Sequence, residues 1–235
     1  MVQKIVIIDA KELNYLFTTE RDPSMRTKIL IADDHDVVRN GMRGWLERES
    51  DLEVVCEAVN GLDALEFARS AKPDVILMDI HMPKMTGIEV AKTLRSEGAD
   101  TRIIIMTGYE KNRVKQVLDS GANGYLSKEE KREVLIEAVR WAARREDGVW
   151  ISPSALYLMM QIERELREAD LSKTEMQVLS MIDLDNSEIR AKLRLSDGTL
   201  RNHLSNIYFK LKVDKRNDAV QRASSFGLLQ QHGNE

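Results

Sequence analysis

Five short, mainly apolar stretches lie between residues 28 and 126, separated by segments whose apolar positions recur at helical spacing, and the run at 75–78 is continuously apolar. Continuous rather than alternating apolar runs are typical of strands covered on both faces, as in a parallel sheet. Repeated alternation of strand and helix therefore predicts an α/β domain with helices on both sides of a five-stranded parallel sheet. The predicted strands cover residues 28–32, 53–58, 75–78, 102–106 and 124–126.

The alternation ends after residue 145, where turn-forming residues mark a boundary. A helix with a single apolar stripe follows, and we expect it to dock on the preceding domain, with pairing to a second chain as the alternative. Its stripe consists of Ala155, Leu158, Met159, Ile162 and Leu166.

The C-terminal part of the chain reads as all-helical. Ser172 and Glu175 have the spacing of a capping box, so a helix should start there, and a short helix follows from Asn186. A turn capped by Ser196 then leads into a longer helix. The apolar stripe of that helix is Leu200, Leu204, Ile207 and Leu211. This order predicts a helix-turn-helix domain.

Polar side chains follow the predicted strands at one edge of the sheet. The strands end at or just before Asp33, Asp34, Asp79, Thr107 and Lys128. Open α/β sheets bind ligands at this carboxyl edge. Clustered carboxylates repel unless a cation joins them, and oxygen ligands suit Mg²⁺. Asp79 is therefore our candidate phosphoryl acceptor, with Lys128 neutralising charge and Thr107 donating a hydrogen bond to a phosphoryl oxygen.

Charge is distributed unevenly along the chain. The formal net charge is -4, yet residues 190–222 hold nine basic and three acidic side chains, a local excess of +6. Such a region attracts phosphate backbones. On the last predicted helix Asn202, Ser205 and Phe209 point away from the apolar stripe, with Arg201 on the flank. Short polar side chains and arginine on an exposed face can read base edges in a major groove.

Composition narrows the setting of the protein. The content of 43% hydrophobic and 31% charged residues is that of an ordinary globular protein. Cys56 is the only cysteine, which excludes an intrachain disulfide and favours a reducing cytoplasm. No apolar run approaches the ~20 residues of a membrane span, so we expect no membrane partner.

The first domain resembles the receiver domain of two-component systems. The resemblance rests on Asp33-Asp34, Met78-Asp79 through Met82-Pro83, Thr107-Gly108 and Tyr125-Leu126-Ser127-Lys128. It implies a flavodoxin-like doubly wound fold and phosphorylation of Asp79 by a sensor histidine kinase. It further implies that Asp33, Asp34 and Asp79, with the backbone carbonyl of His81, form the Mg²⁺ site. Thr107 and Tyr125 would form the conformational switch.

The second domain resembles the LuxR-type DNA-binding domain, on residues 196–207 and Lys210-Leu211. Together with a receiver this gives a response regulator of the NarL/FixJ class, which implies double-stranded DNA as partner and a homodimer as active form. Arg201, Asn202 and Ser205 would face bases, while Thr199 and Lys210 would contact phosphates. Two departures are a short connection at 183–186 and a phenylalanine, Phe209, where a basic residue is frequent.

These patterns predict four segments. They are an extension of unknown role at 1–25, a receiver at 26–145, a linker at 146–170 and a DNA-binding domain at 171–235. Residues 4–9 look strand-like without a domain to follow, which favours a loosely attached extension or an upstream start codon with Met25 as the functional beginning.

The predicted function is a transcription regulator switched by phosphorylation of Asp79, in which the receiver catalyses only its own phosphorylation and dephosphorylation. The rings of His81 and Tyr109 at the mouth of the site favour a long-lived phosphorylated state. Alternatives are a constitutive DNA-binding protein with a vestigial receiver, an Mg²⁺-dependent phosphatase, and an interaction module that no longer meets DNA. The phosphatase lacks a second positioned acid, and the interaction module leaves the basic region unexplained.

Overall fold

The computed structural model describes residues 5–6, 26–108 and 114–229. They form two compact units, the first ending at Leu156 and the second beginning at Tyr157. The predicted extension is described only at Ile5–Val6, and Tyr109 lies outside the described residues. No helix in the described ranges is both long and apolar enough to cross a bilayer.

The first unit is built on a parallel sheet of seven strands. These are β1 (Ile5–Val6), β2 (Thr27–Ala32), β3 (Leu52–Ala58), β4 (Val75–Asp79), β5 (Arg102–Thr107), β6 (Gly124–Ser127) and β7 (Val149–Ile151). Their order across the sheet is β1-β7-β6-β5-β4-β2-β3. The helices are α1 (Asp36–Leu46), α2 (Gly61–Ala71), α3 (Gly87–Ser96), α4 (Val114–Asp119) and α5 (Arg132–Ala143). The predicted α/β class is confirmed.

The sheet has two strands more than the five that the sequence predicted. Strand β7 pairs with β6 through Gly124 and Trp150, and β1 pairs with β7 through Ile5 and Val149. Strand β7 has only three residues, too few for a periodic pattern to reveal it. Its backbone is stabilised by long-range pairing, which composition does not encode.

The core lies where the middle strands meet α1 and α5. Strands β2, β4 and β5 are almost entirely buried, as their continuous apolar sequences predicted. Trp141 of α5 is fully buried against this layer. The packed core fixes the ends of β2, β4 and β5, and therefore the polar residues that follow them.

The remaining helices are α6 (Pro153–Ala169), α7 (Lys173–Leu179), α8 (Asn186–Leu193), α9 (Asp197–Leu211) and α10 (Arg216–Ser225). The apolar stripe of α9 is buried in the core of the second unit, and Ile162 and Leu166 of α6 pack against the same core. The predicted capping box of α7 is present, because Ser172 Oγ accepts from Glu175 N and the Glu175 carboxylate accepts from Ser172 N.

Candidate functional site

Four neighbouring strands deliver polar residues to one edge of the sheet. Asp33 and Asp34 directly follow β2, and Asp79 and Thr107 are the last residues of β4 and β5. Lys128 directly follows β6, and its N–H donates to the carbonyl of Thr107 at 2.7 Å. The tertiary structure thus brings these five residues to the edge where the sequence placed them.

Lys128 links two carboxylates at this edge. Its Nζ lies 2.6 Å from Asp33 Oδ2 and 2.9 Å from Asp79 Oδ2. The side chain of Asp33 is fully buried, and those of Asp79 and Lys128 are 5% and 17% exposed. One ammonium therefore neutralises part of the charge of two carboxylates that water solvates poorly.

Burial is the largest influence on the ionisation of Asp79. It raises the pKa of the Asp79 carboxyl above its ordinary value, and the nearby Asp33 carboxylate acts in the same direction. The Lys128 ammonium opposes both by lowering the pKa. A further cation at the site would favour the ionised carboxylate, which is the nucleophilic form.

Asp33, Asp34, Asp79 and His35 form a group that could hold a metal ion. Each offers one ligand atom, and these atoms lie within 4.8 Å of one another. His35 Nδ1 is 2.8 Å from Asp34 Oδ1 and 3.2 Å from Asp33 Oδ1. His35 was not among the ligands predicted from the sequence, although its place directly after two acids was an available signal. His81 lies in the loop after β4, and its side chain is exposed.

Gly87 allows α3 to begin close to Asp79. A Cβ atom at this position would lie 2.1 Å from the carbonyl oxygen of Asp79, which is a severe steric clash. The Gly87 N–H donates to the carbonyl of Ile80 at 2.9 Å. Thr86 and Glu89 then cap α3 with a capping box. Gly87 thereby allows the backbone after Asp79 to pass close to the start of α3. The sequence did not predict this role.

The two residues predicted to form a switch are both enclosed. Thr107 is 1% exposed at the end of β5, and Tyr125 is fully buried on the neighbouring strand β6. The register pairs Thr107 with Ser127, two residues beyond Tyr125. Thr107 and Tyr125 therefore lie on adjacent paired strands, two residues apart in the register.

In the second unit, α8 and α9 form the predicted helix-turn-helix. Ser196 caps α9, because its Oγ accepts from Thr199 N at 3.1 Å. Arg201, Asn202 and Ser205 are exposed on α9, on the side away from its buried stripe. Arg201 Nη2 lies 2.5 Å from Asp197 Oδ2, four residues earlier on the helix.

Lys210, which the sequence suggests as a phosphate contact, donates two hydrogen bonds inside the domain. Its Nζ donates to Glu175 Oε2 at 2.8 Å and to the carbonyl of Asp170 at 2.7 Å. Burial raises the pKa of the Glu175 carboxyl, but hydrogen bonds from Lys210 and Ser172 outweigh this effect and lower it to about 2. Lys210 thus connects the end of α9 to the start of α7.

Arg216 closes the short connection between α7 and α8. Its guanidinium donates to the carbonyls of Ile182 and Leu184 at 2.9 and 2.5 Å, and to Asn186 Oδ1 at 2.6 Å. In the sequence, Arg216 is one of the nine basic residues of the region that is expected to attract DNA. In the structure, this guanidinium instead satisfies carbonyls that the tight connection leaves without helical partners.

Two families match the chain in its two units. Residues 29–140 match the response regulator receiver domain, and residues 169–223 match the bacterial regulatory proteins of the luxR family. The transcriptional regulatory protein LnrK of Bacillus subtilis is 32% identical over 86% of this chain and 98% of its own length. The response regulator protein VraR of Staphylococcus saprophyticus is 35% identical over 88% and 100%.

The chain belongs to the LuxR-type response regulators. This membership confirms the predicted family and function, a transcription regulator with a receiver and a DNA-binding domain. The crystal structure of the response regulator ChrA of a heme-sensing two-component system is 31% identical to this response regulator. The match covers 87% of this chain and 99% of ChrA, with a TM-score of 0.53.

Four basic residues of this response regulator are exposed in the helix-turn-helix region, and their side chains have no ion pair or hydrogen bond among the described residues. They are Lys192, Arg194, Lys212 and Lys215. Lys210 and Arg216 are engaged inside the domain, so these four side chains and the exposed Arg201 carry much of the accessible positive charge.

Proposed function

We propose that Asp79 accepts a phosphoryl group from a sensor histidine kinase. A carboxylate oxygen of Asp79 attacks the phosphorus of a phosphohistidine, the phosphorus–nitrogen bond breaks, and its electron pair returns to the imidazole. The observation that carries this proposal is the position of Lys128 Nζ between Asp33 and Asp79. From there the ammonium can neutralise negative charge on the transferred group.

We propose Mg²⁺ as the metal of this site. Asp33, Asp34 and Asp79 offer the carboxylate oxygens that Mg²⁺ prefers, and the carbonyl of His81 would complete the protein ligands. The ion would contribute positive charge toward the phosphoryl oxygens when bound. Asp34 is the most accessible of the three acids, with a side chain 33% exposed, so it can exchange water for metal without a change in the core.

We propose that Thr107 and Tyr125 transmit the change at Asp79. The Thr107 hydroxyl would donate a hydrogen bond to a phosphoryl oxygen, which draws β5 toward the site. Tyr125 lies on the adjacent strand and is enclosed, so a shift of Thr107 alters its packing. The receiver would act only on its own phosphorylation and dephosphorylation. Slow loss of the phosphoryl group stays a prediction. It depends on the rings of His81 and Tyr109, and Tyr109 lies outside the described residues.

We propose that α9 reads double-stranded DNA in a major groove. Arg201, Asn202 and Ser205 would face base edges, and Thr199 would contact a phosphate. Lys210 would contact a phosphate through its third N–H group, since Glu175 and Asp170 engage the other two. The active form would be a cytoplasmic homodimer with half-sites about one helical turn apart or a multiple of it.

We propose the division of the chain that its sequence predicts. The receiver takes residues 26–145, the linker 146–170 and the DNA-binding domain 171–235. Strand β7 pairs with β6, so the first residues of the linker extend the receiver sheet.

Phosphoramidate with Mg²⁺ tests the proposal without knowledge of the kinase. The full chain should gain one acid-labile phosphoryl group, located at Asp79 by reductive cleavage and mass spectrometry. Asp79→Asn should gain none, because an amide is not the required nucleophile, whereas Asp119→Asn, at an exposed acid of α4, should react like the parent. Full labelling of Asp79→Asn would refute the assignment. DNA affinity that is the same with and without the phosphodonor would instead support a constitutive regulator.

A further inference from the structure

Phe209 is a large apolar side chain at the surface of α9. Its residue is 85% exposed, while the buried stripe of the same helix is at most 7% exposed. Among the described residues of α7–α10, Phe209 is the only large hydrophobic residue that is mostly exposed. Water therefore contacts nearly the whole ring in the isolated chain.

Phe209 lies on the same face of α9 as several exposed polar residues. Phe209 follows Asn202 by seven residues, Ser205 by four and Asn206 by three, so all four share one face of α9. This face is opposite the centre of the buried stripe. Phe209 thus lies on the face that we propose reads bases, toward its C-terminal end, and the inference rests on that proposed function.

The surroundings of Phe209 favour DNA over a protein partner. Its neighbours on the exposed face are polar, and Lys212, one turn further on, is exposed. A single ring in a polar and basic surface is far smaller than the ~800 Å² that each partner buries in a typical protein interface. The same surface suits a nucleic acid, which combines phosphates with apolar groups on its bases.

The major groove contains one apolar group that fits a phenyl ring. Thymine is the base that presents a methyl group there, while the other base edges present hydrogen-bond donors and acceptors. Seven residues along a helix span roughly 10 Å, which is about three times the ~3.4 Å rise per base pair of the duplex. Phe209 and Asn202 can therefore contact different base pairs of the same groove.

We propose that Phe209 is a specificity-determining residue that packs against the C5-methyl group of thymine. The contact removes the ring and the methyl group from water together, so it favours thymine over cytosine at that position. A basic residue here would instead contact phosphates and strengthen binding to all sequences alike.

The test uses the full chain treated with phosphoramidate and Mg²⁺, and a duplex that the parent selects from a random-sequence pool. Each thymidine of this duplex is replaced in turn by deoxyuridine, which removes the methyl group and keeps the base pair. We expect one or two replacements to weaken parent binding about fourfold, the effect of one buried methyl group. The same replacements should leave binding by Phe209→Ala unchanged.

Two further variants keep the result specific. Phe209→Leu retains an apolar side chain and should show part of the deoxyuridine effect, while Asn206→Ala, altered on the same face, should show all of it. Equal deoxyuridine effects in the parent and Phe209→Ala overturn the role of Phe209, as does an equal loss for Phe209→Ala on selected and random duplexes. A parent that selects no duplex refutes the proposed reading face itself, and the inference with it.

Discussion

The ammonium of Lys210 lies 2.8 Å from Oε2 of Glu175 and joins the last turn of α9 to the first turn of α7. Glu175 is 3% exposed and also belongs to the capping box of α7 with Ser172. The Glu175 carboxylate is therefore enclosed and held by several hydrogen bonds, although the Lys210 side chain is 29% exposed, whereas both partners of the Arg201–Asp197 pair on the same helix are exposed. Enclosed, hydrogen-bonded charges stabilise a fold more than exposed ones do.

Glu175→Gln should destabilise the protein in a manner that depends on pH. The pKa of Glu175 is lowered from 4.5 to about 2 in the fold, so its ionised form stabilises the fold fully above about pH 4.5. This stabilisation, on the order of 2–3 kcal/mol, is lost as the pH falls from 4.5 through 2. Urea unfolding of the parent and the variant should show a difference that shrinks over this range. A difference independent of pH would contradict the role of the charge.

Arg216→Ala should destabilise the DNA-binding domain by about 2–3 kcal/mol, because it removes charge-assisted hydrogen bonds to the Ile182 and Leu184 carbonyls. Arg216→Lys should not restore the loss, since one ammonium lacks the fork that reaches both carbonyls. Lys215→Ala, at the adjacent exposed residue, is the matched control and should change stability by less than about 0.5 kcal/mol. Far-UV circular dichroism during urea unfolding measures all three variants, and equal stability of Arg216→Ala and Lys215→Ala would disprove the clamp.

Asp34→Ala should weaken Mg²⁺ binding about tenfold or more, because it removes a carboxylate ligand from the cluster. Titration calorimetry measures the affinity directly, without any phosphoryl transfer. Glu53→Ala is the control, since Glu53 is exposed near the start of β3, at the opposite edge of the sheet. Unchanged Mg²⁺ affinity in Asp34→Ala would exclude Asp34 as a ligand.

Arg201→Ala and Lys215→Ala should affect DNA binding differently. Arg201→Ala should cost roughly 1–3 kcal/mol on a selected duplex and much less on random sequence, as expected for a residue that contacts bases. Lys215→Ala should weaken both duplexes alike and reduce the salt slope by about one, because an exposed lysine beside the reading helix is expected to contact one phosphate. Fluorescence anisotropy at several salt concentrations separates the two effects. Equal losses on both duplexes for Arg201→Ala would show that it contacts only the backbone.

Local sequence determined the elements of both units. Continuous apolar runs predicted the middle strands, and Asp79 is the last residue of β4, as expected from the end of its apolar run. Ser172 and Glu175 predicted the start of α7 from their spacing alone. These features depend on residues a few positions apart, whose backbone and side-chain preferences act before any long-range contact forms.

Only the tertiary structure decided how the charged residues are used. In the composition, Lys210, Arg216 and Lys215 are equivalent positive charges. In the structure, Lys210 binds Glu175, Arg216 donates to the carbonyls of Ile182 and Leu184, and Lys215 is exposed. The first two have partners more than thirty residues away. Such contacts depend on how helices pack, and packing minimises the free energy of the whole domain, which no local pattern of residues specifies.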